Sequence, residues 1–235
     1  MQTAHLLQQI REATGRLVMS ARSLNEHDVA APSLCSGWTR GHVLAHVALN
    51  ADSLVNLLTW ARTGIETPQY PSWEVRESDI GEAAGRSVGG HLDAITASAA
   101  RFESAAESLP GDRWSYVVRG IGGDAQPASE YLTARRREVE VHHVDLDAGY
   151  GPERWPLDFV ESELVHAASK LSRRAVTSFN ISVTDLGSSL LVGTGSASGN
   201  VKGPGYSLLA WLYGRGSGSD LQTDLETLPE LGAWG

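Results

Sequence analysis

The sequence predicts an α+β chain, an N-terminal four-helix bundle over residues 1–150 followed by a small α/β domain over 151–235, and three observations predict it. Apolar residues before Gly149 recur at steps of three and four, the spacing of helices that bury one stripe. Gly149, Gly151, Pro152 and Pro156 then interrupt the chain as a domain junction does. Beyond them the apolar period switches to alternation at Phe179, Ile181 and Val183, which is the period of a strand.

Leu6, Ile10, Ala13, Leu17, Ala21 and Leu24 mark the first helix. Thr39 is placed to cap a second, in which Val43, Leu44, Val47, Leu54, Val55 and Leu58 form the apolar side until Gly64. Residues 64–85 hold prolines, glycines and scattered charges and read as a long crossover with little regular structure. Val88, Leu92, Ile95, Ala99, Phe102, Ala106 and Leu109 give the third helix, ended by Pro110 and Gly111. A Gly-rich loop follows, Pro127 suits a first helical turn, and the fourth helix is expected from there to about Ala148. Four helices with one long crossover make a bundle the economical architecture. In the second domain, Asp158 and Glu161 have capping-box spacing for a helix carrying Val160, Leu164, Ala167 and Leu171. Short strands are expected around 179–183, 190–192 and 197–202, and Pro204 opens a last helix through Leu208, Leu209 and Leu212. The tail beyond Gly216 reads as a surface extension.

An apolar fraction of 41% and a charged fraction of 20% are those of a chain that folds on its own. The net charge of −9 argues against a nucleic-acid partner, because the phosphate backbone would be repelled. A small anionic substrate stays compatible with it, since a local Arg or metal cation can reverse the field inside a pocket. A lone cysteine, Cys35, forms no intrachain disulfide, and neither a signal peptide nor a membrane span is visible, so a cytoplasmic, monomeric protein is expected.

The chemistry concentrates on the second and fourth helices. Glu138 and His142 are four apart and share one helical face. A third ligand is expected from a facing helix, and His46, set among Val43, Leu44, Ala45, Val47 and Ala48, is a better inward candidate than His42 at the helix start. Two His and one Glu leave a zinc coordination position open, as catalytic rather than structural sites do. Spacing alone does not decide, because Glu and His fall four apart on many helices by chance. Asp145 extends the same face, either as acceptor for an imidazole N–H or as a solvated charge. His143 points about a hundred degrees away from His142 and reads as structural, Glu140 with His143 being a weaker alternative pair. His5, His27, His91 and His166 read as solvated, and Cys35 as inert. The glycines from 193 to 205 lack the Gly-Lys-Ser/Thr ending of a phosphate loop.

Gly37-Trp38-Thr39 with Val43-Leu44-Ala45-His46, the run from Arg136 to Leu146, and Gly203-Pro204 followed by Leu208 to Arg215 together resemble the mycothiol-dependent maleylpyruvate isomerase family. The resemblance implies a DinB-like helical bundle holding zinc or another divalent metal on His46, Glu138 and His142, a small C-terminal α/β domain, and mycothiol as thiol cofactor. It implies cis-to-trans isomerisation of maleylpyruvate to fumarylpyruvate, a step of aromatic breakdown through gentisate. The metal-activated thiolate would add to the conjugated double bond, allow rotation, and leave. Arg215 is then the residue expected to grip a substrate carboxylate as a bidentate catalytic partner. Another mycothiol-dependent transferase or hydrolase, or a non-catalytic DinB-like metal-binding protein, fits the same residues.

Overall fold

Thr39 caps its helix as its sequence predicts: the side chain accepts from the His42 N–H, and the chain leaves at Gly64 in the left-handed conformation with φ 75°. In the computed structural model, which describes residues 2–173 and 177–231, the N-terminal helices are α1 Gln2–Ala21, α2 Glu26–Ala30, α3 Arg40–Thr63, α4 Trp73–Ala83, α5 Val88–Glu107 and α6 Glu130–Asp145. The expected domain ends at Met1 and Gly235 lie outside the described residues. The chain divides into two compact units, Met1–Tyr150 and Gly151–Gly235.

In the first unit α1 packs on α5 and α6, and α3 packs on α5 and α6 from the other side, closing a four-helix bundle. Ala13, Leu17, Val43, Leu44, Val47, Ile95 and Val139 fill one end of its core, and Leu54, Leu57, Leu58, Phe102, Ala106 and Leu132 belong to a second cluster. The α+β class is as the sequence predicts, and several local expectations are corrected. The crossover contains α4, which Ser72 starts by accepting from the Val75 N–H. It buries only Ile80 and Ala83, too few apolar contacts to leave a periodic trace. Pro127 is not in a first helical turn: it ends β2 Ala125–Pro127, which pairs antiparallel with β1 Val117–Arg119, and α6 begins at Glu130.

His91, expected in solvent, is buried, and its Nε2 donates to the Ala84 carbonyl at 3.3 Å. That carbonyl also abuts Gly41 at the start of α3, where a Cβ would come within 2.3 Å of Ala84 O. The α4–α5 turn is thereby held against α3, and with it the helix that overlies the end of α3 carrying His46.

The second unit holds α7 Leu157–Ser172, β3 Phe179–Val183, β4 Ser188–Val192, β5 Asn200–Gly203, α8 Gly205–Leu212 and β6 Gln222–Thr223. Its sheet order is β4-β3-β5-β6, with β3 and β5 parallel and the other pairs antiparallel. Asp158 and Glu161 form no capping box: α7 starts behind Pro156 without a side-chain cap, and Asp158 lies in its first turn, where the helix dipole favours an acid. Phe179, Ile181, Val201, Leu208 and Leu209 are buried in this unit, and Tyr213 donates its hydroxyl to Glu163.

Two outcomes follow from the turn at Ala84. Gly41→Ala forces backbone apart and is expected to cost roughly 1–3 kcal/mol, as overpacking does, read as a lower midpoint in urea unfolding. Burial lowers the His91 pKa below its ordinary 6.5, with Arg86 lowering it further and the Ala84 carbonyl and Glu26 opposing. The stability His91 contributes is therefore complete above pH 6.5 and declines as pH falls below it toward the folded value. His91→Gln should flatten that limb of the Tm-against-pH curve.

Candidate metal centre

Three side chains from two helices meet at one point of the bundle. His46 on α3 brings its Nε2 to 2.8 Å from Glu138 Oε2, and His142, one turn beyond Glu138 on α6, brings its Nε2 to 3.4 Å from the same oxygen. The two imidazole rings stand nearly perpendicular at 84° with centroids 4.6 Å apart, so both nitrogens aim at the carboxylate from different directions. His42, set aside in the sequence, turns its ring back to the Thr39 cap, where Nδ1 lies 2.8 Å from Oγ1.

The surrounding groups fix these orientations. His142 Nδ1 lies 2.9 Å from Asp145 Oδ2, and the Asp145 side chain is almost wholly buried. This is the acceptor role the spacing offered, and it turns Nε2 toward Glu138. The segment before α3 is tied to the end of α6: Leu34 N–H donates to Asp145 O at 2.9 Å and Arg40 Nε to Leu146 O at 2.8 Å. That tie lays Trp38 over both imidazoles, with ring centroids 5.4 Å from His46 and 6.5 Å from His142. It also brings Cys35, expected to be inert, beside the site, where ligand atoms of Cys35, His142 and Asp145 lie within 4.8 Å of one another.

Burial pulls the His46 pKa down to about 4, against the hydrogen bond to Glu138 that raises it. Burial alone would raise the Glu138 carboxyl; hydrogen bonds with His142 and His46 outweigh it and hold the group well below the usual carboxylate range. His142 shows the converse. Its burial favours the neutral ring, yet hydrogen bonds with Asp145, Cys35 and Glu138 hold its pKa well above the ordinary value.

The donor set fits a divalent cation. Tetrahedral zinc at its usual nitrogen and oxygen distances wants ligand atoms about 3.4 Å apart. His142 Nε2 and Glu138 Oε2 are already at 3.4 Å, and the His46 to Glu138 gap needs only slight widening from 2.8 Å. The three atoms all lie within 4.8 Å of one another.

The sequence profile described as the mycothiol maleylpyruvate isomerase N-terminal domain matches residues 10–147, more than half of the chain. The chain belongs to the mycothiol maleylpyruvate isomerase family. Two crystal structures resemble it throughout, that of the mycothiol-dependent maleylpyruvate isomerase and that of a histidine-to-alanine mutant of the same enzyme. Each superposes with TM-score 0.92 at 28% identity, covering 100% of this chain and 98% of the other. No curated protein sequence matches the chain.

Within this family fold, His46, Glu138 and His142 come together in the first unit, whereas Arg215 belongs to the second. Arg215 follows α8, is half-buried, and donates from Nη1 to the Tyr213 carbonyl at 2.9 Å. His143 is structural as expected: fully buried, it stacks on Tyr150 at 3.7 Å and holds Ser20 Oγ at 2.8 Å. Glu140 likewise points away from the site, binding Arg16 and the Tyr150 hydroxyl. Sequence reasoning missed Arg76, whose Nη2 lies 3.2 Å from His46 Nδ1, because it sits on the unforeseen α4.

These roles separate in a metal-binding assay. After zinc loading and desalting, His46→Ala is expected to lose its zinc, while His143→Ala keeps it and melts at lower temperature. Asp145→Asn should weaken zinc by about ten- to a hundredfold, as loss of an imidazole-orienting partner does. Equal zinc retention by the His46 and His143 variants would end the ligand assignment.

Proposed function

We propose that the protein is a mycothiol-dependent maleylpyruvate isomerase, converting the cis substrate to fumarylpyruvate in the breakdown of aromatic rings through gentisate, with zinc held by His46, Glu138 and His142. The observation that carries the reading is the convergence of His46 Nε2, Glu138 Oε2 and His142 Nε2 in a chain that aligns end to end with a mycothiol-dependent maleylpyruvate isomerase. A divalent cation on three protein ligands keeps a position open and favours the thiolate over the thiol, which supplies a nucleophile near neutral pH.

The chain's own residues prepare that position. Glu138, half-buried, stays ionised as an anionic ligand because both imidazoles hydrogen-bond to it. Asp145 fixes the His142 ring so that Nε2 faces inward. Trp38 covers both imidazoles and keeps water from that side. Arg215 is assigned a carboxylate of the substrate, a task its planar fork suits. No helix among the described residues is long and apolar enough to cross a membrane, and the single cysteine accords with a cytoplasmic, monomeric enzyme acting on small molecules.

The test follows maleylpyruvate by ultraviolet absorbance with zinc-loaded protein. Turnover is expected only with both zinc and mycothiol present, and Glu138→Gln should lower kcat/KM about a hundredfold, on the order of losing one group that sets the charge of the site. No turnover by protein with confirmed zinc and added mycothiol would overturn the isomerase reading in favour of another mycothiol-linked transfer.

A further inference from the structure

We propose that Arg76, with the Tyr70 hydroxyl beside it, receives a carboxylate of the substrate, and that metal loading is what releases Arg76 for this task. The inference rests on the reading of the centre as a metal-dependent isomerase site and adds a residue that neither the ligand set nor Arg215 supplies.

Arg76 stands on α4 with its guanidinium carbon 5.8 Å from the Tyr70 ring and 5.6 Å from the Trp73 ring. Stacking of this kind holds the guanidinium plane and leaves its edges for hydrogen bonds. Its side chain is only 16% exposed, and its ion pair is with the neighbouring Glu77, which is itself 55% exposed and so screened by water. The remaining edge, through Nη2, faces His46 Nδ1 at 3.2 Å.

That contact is incompatible with a metal on the other ring nitrogen. A guanidinium only donates, so His46 Nδ1 must accept from it, and the neutral ring then carries its proton on Nε2, facing Glu138. A metal bound through Nε2 requires the proton on Nδ1 instead. Two N–H groups would then confront each other across 3.2 Å. Arg76 must swing off the ring, and its cation is left at the rim of the site with one edge unpaired.

A second donor is waiting there. The buried Tyr70 hydroxyl, next to Ser53 and Arg76, makes no hydrogen bond of ordinary geometry. Burial raises its pKa, so it remains protonated and can donate. A guanidinium edge and a phenol O–H side by side match the oxygens of a carboxylate. A divalent cation would offset Glu138 and Asp145, so the field at the loaded site no longer opposes an anion although the whole chain carries −9.

The experiment uses zinc-loaded full-length protein and heptanedioate, a saturated dicarboxylate of the substrate's chain length with no double bond to isomerise, followed by calorimetry. Wild type should bind it, and Arg76→Met, which keeps the stem over the two rings, should bind at least tenfold more weakly, the loss expected for one charge-assisted hydrogen bond. Arg76→Lys, which keeps the charge without the fork, should fall between. Zinc affinity measured against a chelator should be unchanged or tighter in Arg76→Met, since the contact that opposes the metal is gone. In turnover, KM should rise much more than kcat falls. Heptanedioate binding equal to wild type in Arg76→Met, no binding by zinc-loaded wild type, or loss of zinc in Arg76→Met would each overturn the proposal. Arg76-dependent heptanedioate binding by a wild type that does not isomerise maleylpyruvate would leave the proposal standing and end the isomerase reading.

Discussion

The Glu138 carboxylate is shared between two helices, and the arrangement of the first unit depends on how it is shared. Its Oε2 meets His142 on its own helix and His46 on α3, so the register of α6 against α3 is set at that oxygen. The carboxylate is half-buried, and with both imidazoles answering it, it remains ionised. The ties from Leu34 and Arg40 to the end of α6 extend the same constraint to the segment that carries Trp38 and Cys35. Structure and site are therefore stabilised by one set of contacts.

The long helices were legible because their caps and stripes agree. Thr39 and Gly64 stand where helix ends need them, and Ile95, Phe102 and Ala106 are all buried at helical spacing. The meeting of His46 with Glu138 and His142 was legible for a different reason: a histidine inside the apolar run of α3 needs a partner, and Glu138 with His142 offers one face. What stayed hidden was whatever depended on a distant contact. The α4 helix is amphipathic only through Ile80 and Ala83, so nothing in its own sequence separates it from a loop. His91 looks like any polar helical residue until the Ala84 carbonyl arrives from the preceding turn to receive its N–H. The strands β1 and β2 have three residues each, below the length at which alternation can be read.

The helix α6 shows why binary patterning was a poor guide at the site itself. It buries Arg135, Arg136, Glu140, His143 and Asp145 alongside Leu132 and Val139, and no single apolar stripe runs along it. Such a helix would ordinarily read as solvated on most sides. It is instead flanked by α1 and α3, and each neighbour takes a different subset of its polar groups. Toward α1 go Arg136 to Gln9, Glu140 to Arg16 and His143 to Ser20; toward α3 go Arg135 to Val47 and Asn50, and Glu138 to His46.

A rotation of about 100° per residue does this sorting. His142 and His143 are adjacent and chemically identical, yet one aims at the carboxylate and the other stacks on Tyr150. Shifting α6 by a single residue would put His143 where His142 now stands, but it would also put Val139 in the place of Glu138 and Val144 in the place of His143, leaving Ser20 and Tyr150 without their imidazole. The α1-facing pairs thus oppose the same slip that would dismantle the α3-facing triad. Polar contacts that take no part in the chemistry hold the angular phase of the helix, and that phase decides which histidine can meet a metal.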